Sequence, residues 1–393
     1  MGRVLIVAND FPYPPHHGAA VDMWNRILGL KQLGFRLDLI ATVREEPKRE
    51  HIDAVRAVVD GLWVVRRNRS ITSAFSLVPF QVRSRMALRA VALAKTYEAV
   101  LLESEYVAPI LENGRLKAKV RVLRLANDEP RYYRELRGSA RTWIERCFYL
   151  LEALKFDRFS PRVKSRCNLL WFISDVERKH HLQACPDDSL KAVFLPPDPG
   201  VRTMRPYSGD GSQVLFIGSL TFPPNLEGLE WYVEHIHPIL SDIPGYSLTV
   251  AGRTDEATLP RLHKALQDYS NISLCADPLE LNDLYSRSAV FVNPVLRGAG
   301  VKLKTIDALR AGVPVVSTSV GMEGTGLVHG QHLLVADSAD DFVRRLRELL
   351  QDRALAGRLV RSAQTFLAET YDNERNMRDS LSPLLTIPAC AAS

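Results

Sequence analysis

The residues best suited to chemistry lie between Asn293 and Thr318, in the stretch NPVLRGAGVKLKTIDALRAGVPVVST. An apolar strand pattern leads into two glycines, Gly298 and Gly300, where the backbone can approach a ligand closely. Lys302 and Lys304 follow at the start of a helical pattern. Backbone amides at a helix N-terminus, joined by two ammonium groups, suit a diphosphate. Asp307 comes three residues after Lys304, on a similar helical face, where a carboxylate can accept from two ribose hydroxyls. The same residues also suit a plain surface turn and a capped helix, and the local spacing leaves both readings open. Three further positions follow strand patterns in this half. They are Gly218 in FIGSLTFPPN, Arg253 in VAGR, and Glu323 between the glycines of GMEG. Several such loops at one sheet edge argue for a site better than any one of them.

The elements that must position these groups alternate along the chain. VLIVA (4–8), a Pro-rich loop, a helical pattern from 20 to 34 and LDLIATV (37–43) give strand–loop–helix–strand, the rhythm of a parallel sheet. Further strands are expected at 62–65, 99–103, 120–125 and 169–173, and a long aromatic-rich helix at 142–159. The segment LPPDPGVRTMRPYS (195–208) holds four prolines and little periodicity, and reads as a linker. The alternation then restarts, with strands expected at 213–217, 247–251, 272–275, 290–293, 314–317 and 333–336. Helices are expected between them, including one over 225–240. A chain of 393 residues suits two such domains. The expected limits are 1–203, 204–370, and a tail at 371–393 too short to fold alone, which should pack back on the first domain. In parallel α/β sheets ligands bind beyond the carboxyl ends of the strands. This edge also places Asn127 and Glu129, after a first-domain strand, among candidates for contact with a second substrate. For Asn127 and Glu129 a capped turn before a helix is an equal reading.

Composition excludes several classes. No apolar run reaches the ~20 residues of a membrane span. The five cysteines are odd in number and far apart, which favours reduced thiols and a cytoplasmic location, and no metal site is expected of them. G-x-G-x-x-G, a Walker loop, G-x-S-x-G and H-E-x-x-H are all absent. His16 and His17 adjoin in the Pro-rich loop and make a poor metal pair. Residues 1–205 carry 35 Lys+Arg against 23 Asp+Glu, or +12, while the remainder carries 16 against 22, or −6. The basic half can face an anionic membrane or an acidic acceptor. It can equally be a scattered, solvated set of arginines. Nucleic acid is not expected, because the cations form no run and no binding motif accompanies them. Trp143, Phe148, Tyr149, Phe156 and Phe159 form a helical stripe that either lies on a membrane or packs as core.

The stretch GAGVKLKTIDALRAGVPVVSTSVGMEG resembles the donor-binding signature of GT-B glycosyltransferases, nearest to the retaining family 4 group. FIGSLTFPPNLEGLEWYVEHIHPIL resembles the start of their C-terminal domain, and the first forty residues their N-terminal opening. The resemblance implies an α/β, GT-B fold, with two Rossmann-like doubly wound domains facing each other across a cleft. It implies transfer of a sugar from a nucleotide-sugar, UDP- or GDP-linked, to a glycan or lipid-linked acceptor in cell-surface polysaccharide synthesis. Retention and an absence of metal are implied as well. Lys304, with Arg253 and Asp307, would be catalytic, Lys304 on the diphosphate and Asp307 where relatives use a glutamate for ribose. Gly218, Arg297, Gly298, Gly300, Lys302 and Glu323 would complete the donor site, and Gly18 would face the reaction centre. Three departures stand out. The first glutamate of E-x7-E is absent, with Arg297 just before the glycine loop. Ser219 and Asn225 occupy a loop where relatives carry Arg and Lys, and LLESEYVA, with Glu103 and Glu105, replaces a stretch with histidine. They leave two alternatives, a nucleotide-sugar epimerase of similar fold and a non-catalytic nucleotide-sugar-binding partner.

Overall fold

The computed structural model describes residues 2–15, 18–68, 76–138, 140, 142–199, 203–208, 212–278, 280–298 and 300–385. His16 and His17 therefore lie outside the described residues. The chain divides into two units. One holds the residues up to Asp198 and those from Asp372 onward, the other Pro199–Tyr371. The division thus falls at 198/199, five residues before the expected one.

The first unit is built on β1 (Arg3–Ala8), α1 (Gly18–Gln32), β2 (Arg36–Val43), α2 (Arg49–Arg56), β3 (Gly61–Arg66), α3 (Phe80–Arg83) and β4 (Thr96–Leu102). It continues with β5 (Lys117–Leu125), α4 (Glu129–Gly138), α5 (Trp143–Lys164), β6 (Leu169–Phe172), α6 (Asp175–Ala184) and β7 (Ala192–Phe194). Its seven strands run in the order β3-β2-β1-β4-β5-β6-β7, and each recorded pairing is parallel. Apolar runs such as VLIVA are buried along their length, as strands covered on both faces require.

The second unit holds β8 (Gln213–Ile217), α7 (Pro223–His235), α8 (His237–Leu240), β9 (Ser247–Gly252), α9 (Thr258–Leu266), β10 (Ile272–Ala276), α10 (Asn282–Ser286) and β11 (Val290–Asn293). Then come α11 (Leu303–Arg310), β12 (Val315–Ser317), α12 (Ser319–Met322), β13 (Leu334–Val335), α13 (Ala339–Gln351) and α14 (Arg353–Thr370). The sheet order is β10-β9-β8-β11-β12-β13. This is the Rossmann order, with its reversal between β8 and β11. The single helix expected over 225–240 is broken at Ile236. Pro238 explains the break, since it offers no N–H and cannot continue the preceding turn.

The final helix, α15 (Asn373–Leu381), belongs to the first unit. Its Met377 and Leu381 are buried in the core formed with Ile27, Leu30 and Val4. α4 was absent from the strand-and-helix pattern read above. Its EPRYYRELRG has little apolar periodicity, and its Tyr133 is buried by packing against Val82 and against Ala153 and Phe156 of α5, stacked on the last at 5.4 Å between ring centroids.

Candidate functional site

The loops after β8, β9, β11 and β12 lie at the carboxyl edge of the second sheet, around the point where strand order reverses. Between β11 and α11 the chain curls through two left-handed residues, Gly298 at φ 119° and Gly300 at φ 86°. A side chain would be strained at either position. The Lys302 ammonium fastens this curl, donating to the carbonyls of Gly298 at 3.0 Å and Gly300 at 2.7 Å. Lys304, in the first turn of α11, reaches the first turn of α7. Its Nζ donates to Asn225 Oδ1 at 2.8 Å and sits 5.1 Å from the centroid of the Phe216 ring. Asn225 in turn donates through Nδ2 to the Ser219 carbonyl at 3.0 Å. Lys304 therefore ties the start of α11 to the start of α7 at the switch point.

Burial and then the neighbouring charge of Lys302 push the Lys304 ammonium down to about 7. Among the described residues no carboxylate accepts from it; its recorded acceptor is a neutral amide. A cation held in this way is short of negative charge, and an incoming phosphate would supply it. The end of β9 lies against the same loop. Gly218 N–H donates to the Ala251 carbonyl at 3.0 Å, and a Cβ on Gly252 would fall 1.8 Å from the Gly218 oxygen. Arg253 follows, exposed, with its carbonyl accepting from Leu220 N–H at 2.8 Å. Asp307 is half-buried, one turn beyond Lys304. Burial lifts the Tyr285 phenol well above its usual range, and the charge of Asp307 lifts it further, so the two groups are close.

Not every expected donor residue joins this group. Arg297 is exposed and turned to α7, with Nε donating to Glu227 at 2.6 Å. Glu323 is exposed at the end of α12. Two residues that sequence reasoning passed over do join it. Asn225 was noted only as a departure from an Arg/Lys pair, yet it holds Lys304. Asn293, fully buried at the end of β11, donates to Thr305 Oγ1 at 2.9 Å and the Gly321 carbonyl at 2.8 Å. It thereby ties the first turn of α11 to the loop after β12. Its place as the last residue of an apolar strand, directly before the glycine loop, was the available signal.

In the first unit Gly18 is exposed and opens α1, and Asn127 is half-buried in the bend after β5. Glu129 is not in the loop; it opens α4 and is buried. Its Oε2 accepts from the Tyr106 hydroxyl at 2.6 Å. Burial, despite this bond, pushes the Glu129 carboxyl up to about 8, with the charge of Glu105 adding to the shift. Glu103 is consumed by a buried ion network. Arg26 donates to Glu103 at 2.9 and 2.7 Å and to both oxygens of Asp22 at 2.9 Å, while Arg124 reaches Asp22 at 3.1 Å. Burial would raise the Asp22 carboxyl, but Arg124 and Arg26 outweigh it and hold it at about 2. Among the described residues, His181, Cys185 and Asp188 have ligand atoms within 4.8 Å of one another. Asp188 there is already paired with His181 at 2.7 Å and Lys191 at 2.9 Å.

Residues 211–352 match the family model "Glycosyl transferases group 1". An uncharacterized 44.6 kDa protein in cps region of Klebsiella pneumoniae is 35% identical over 389 residues, covering 95% of this chain and 98% of that protein. The chain belongs to the group 1 glycosyltransferases. Among solved structures, this glycosyltransferase is similar to Anabaena HepE in complex with UDP and glucose, at TM-score 0.64 and 12% identity, over 97% of this chain and 100% of that one. It is also similar to S. aureus TarM, at 0.68 and 8%, over 98% and 100% of the two chains. Sucrose-phosphate synthase from Thermosynechococcus elongatus matches at 0.68 and 14%, over 97% of each chain. The fold of this glycosyltransferase is GT-B, with two Rossmann-like units of seven and six parallel strands. Among the described residues, no helix is long and apolar enough to cross a membrane.

Proposed function

We propose that this glycosyltransferase moves a sugar from a UDP-linked donor, with a GDP-linked one as the other option, to a glycan or lipid-linked acceptor. The transfer would serve cell-surface polysaccharide assembly at the cytoplasmic face of the membrane. The donor would lie at the carboxyl edge of the second unit, with its diphosphate against Lys304 and the start of α11. The observation that carries this reading is the Lys304 ammonium beside the Gly298–Gly300 curl, lowered to about 7 with only an amide as acceptor. The UDP in the complex of the similar HepE, and the cps region of the Klebsiella relative, support the donor class and the pathway type.

Breaking the sugar–phosphate bond leaves negative charge on the departing diphosphate. In our reading fixed cations neutralise it without a metal ion. Lys304 would be in direct contact, with Lys302 and Arg253 beside it and the α11 amides aligned on the same oxygens. Preorganised donors of this kind are worth ~3–4 kcal/mol each in rate. Asp307 would take the ribose hydroxyls. We assign acceptor contact to the first unit, at Gly18 and Asn127, and anomeric retention to the transfer. Glu129 would enter only if its bond to Tyr106 opened.

The test is a panel of UDP- and GDP-sugars with lipid-linked and free glycan acceptors, run with EDTA or with Mg²⁺. Transfer that persists in EDTA and is abolished by Lys304→Ala, with the fold intact, supports the reading. Transfer that requires Mg²⁺ overturns metal independence. Isomerised donor without acceptor marks an epimerase instead.

A further inference from the structure

Helix α5 has two apolar sides. Tyr149, Ala153, Phe156, Ser160 and Val163 recur at intervals of three and four residues. Of these Ala153, Phe156, Ser160 and Val163 are buried, with Tyr149 half-buried beside Phe148 and Tyr133. A second series, Trp143, Cys147, Leu151, Leu154, Arg158 and Arg162, also recurs at three and four, on the opposite side at ~100° per residue. All six are exposed, Trp143 at 74%, Leu151 at 53% and Leu154 at 45%, and Ile144 beside them is 62% exposed. Singly exposed leucines are ordinary, but an unbroken stripe along one helix is not.

Arginines outnumber carboxylates around the stripe. Arg146 and Arg158 flank the apolar residues, Arg162 follows, and all three are exposed. The three carboxylates of α5 are engaged elsewhere. Glu145 caps the helix through the Thr142 amide, Glu152 accepts from Phe80 N–H and Lys155 in the interior, and Asp157 pairs with Arg134. The 22 residues of α5 span about 33 Å, so the stripe and its arginines form one elongated face. An apolar face rimmed by arginine suits the boundary between anionic headgroups and acyl chains. Residues 1–198 and 372–393 carry 35 Lys+Arg against 26 Asp+Glu, or +9, which favours the same partner for this unit.

We infer that the outer face of α5 is a docking surface for an anionic lipid bilayer, with Trp143, Ile144, Leu151 and Leu154 entering the interface and Arg146, Arg158 and Arg162 on the headgroups. This deepens the lipid-linked acceptor reading and rests on it for its purpose. Binding to vesicles is measured without sugar transfer, so the two can fail separately.

The experiment is co-sedimentation of the full chain with sucrose-loaded vesicles of phosphatidylglycerol and phosphatidylcholine in equal parts, or of phosphatidylcholine alone. The protein should pellet with the first and not the second, and less so at high salt. Arg146→Gln/Arg158→Gln/Arg162→Gln should weaken binding by on the order of a hundredfold. Trp143→Ser/Leu151→Ser should release the protein while its thermal unfolding and UDP binding stay as in the wild type. A polarity-sensitive dye on Cys147, with Cys185→Ser and Cys390→Ser, should shift to the blue on the anionic vesicles. Wild type left in the supernatant, or variants that pellet like the wild type, would overturn the inference. So would a dimer in solution that Trp143→Ser dissociates, since the face would then belong to a second copy.

Discussion

Binding of the diphosphate on Lys304, as proposed, would be a proton-linked event. In the free protein the pKa of Lys304 is about 7, because burial and Lys302 oppose its charge. A bound diphosphate would restore the charge and move the pKa back toward the ordinary 10.5. The terminal phosphate of UDP is itself ionised above about pH 7, so the nucleotide adds no titration at alkaline pH. The apparent Kd for UDP should then rise with pH above about 7, where Lys304 is the group that titrates. With Lys304 at about 7, Kd at pH 8.5 should be about sixteenfold weaker than at pH 7, or about 1.6 kcal/mol. Titration calorimetry at pH 8 in buffers of different ionisation enthalpy should show uptake of about 0.9 proton per UDP. Lys304→Met should lose about 1.5–3 kcal/mol of affinity at pH 6, together with the pH dependence and the proton uptake. UDP binding without proton uptake in the wild type would refute the placing of the diphosphate on Lys304.

The same group bears on stability. The folded pKa lies below the unfolded one, so the unfolded chain holds more protons between pH 7 and 10.5, and stability should rise with pH in that window. Melting curves of wild type and Lys304→Met should show that rise in the wild type alone. Glu129 works in the opposite sense. Its pKa is raised from 4.5 to about 8, so the unfolded chain holds fewer protons in between, and stability should fall from pH 4.5 to 8 by up to about 1.4 kcal/mol per unit. Glu129→Gln should flatten that slope in denaturant titrations. Gly252→Ala, which sets a Cβ on the Gly218 carbonyl, should cost well over ~2 kcal/mol and weaken UDP binding, read as a lowered Tm. Arg26→Met leaves the buried Asp22 paired with Arg124 alone and removes the recorded ion pair of the buried Glu103, and should cost about 3–5 kcal/mol in urea unfolding.

Much of the fold was legible in the sequence because parallel strands covered on both faces need unbroken apolar runs. VLIVA, QVLFI and VFVN, each set in a strand–helix alternation, are such runs. The glycine loop and Lys304 were legible for a similar reason, since Gly298 and Gly300 mark a backbone that other residues resist, and a lysine at the helix start has few structural uses. The break at Ile236 was missed although Pro238 was in plain view, because the apolar spacing ran on through it. Helix α4 was missed because its stability comes from packing on α5, which no local pattern records.

What the sequence determined by itself was the alternation, the glycine curl and the types of charged group after each strand. Tertiary structure alone decided which groups meet. Lys304 finds Asn225 seventy-nine positions away, and Arg26 consumes Glu103 across seventy-seven. Helix α5 shows why such pairings escape a linear reading. Its aromatic stripe was read as one face, but Phe156 turned inward and Trp143 outward. An α-helix with apolar residues on both sides has no dominant direction, so only the neighbours packed against it decide which side is core.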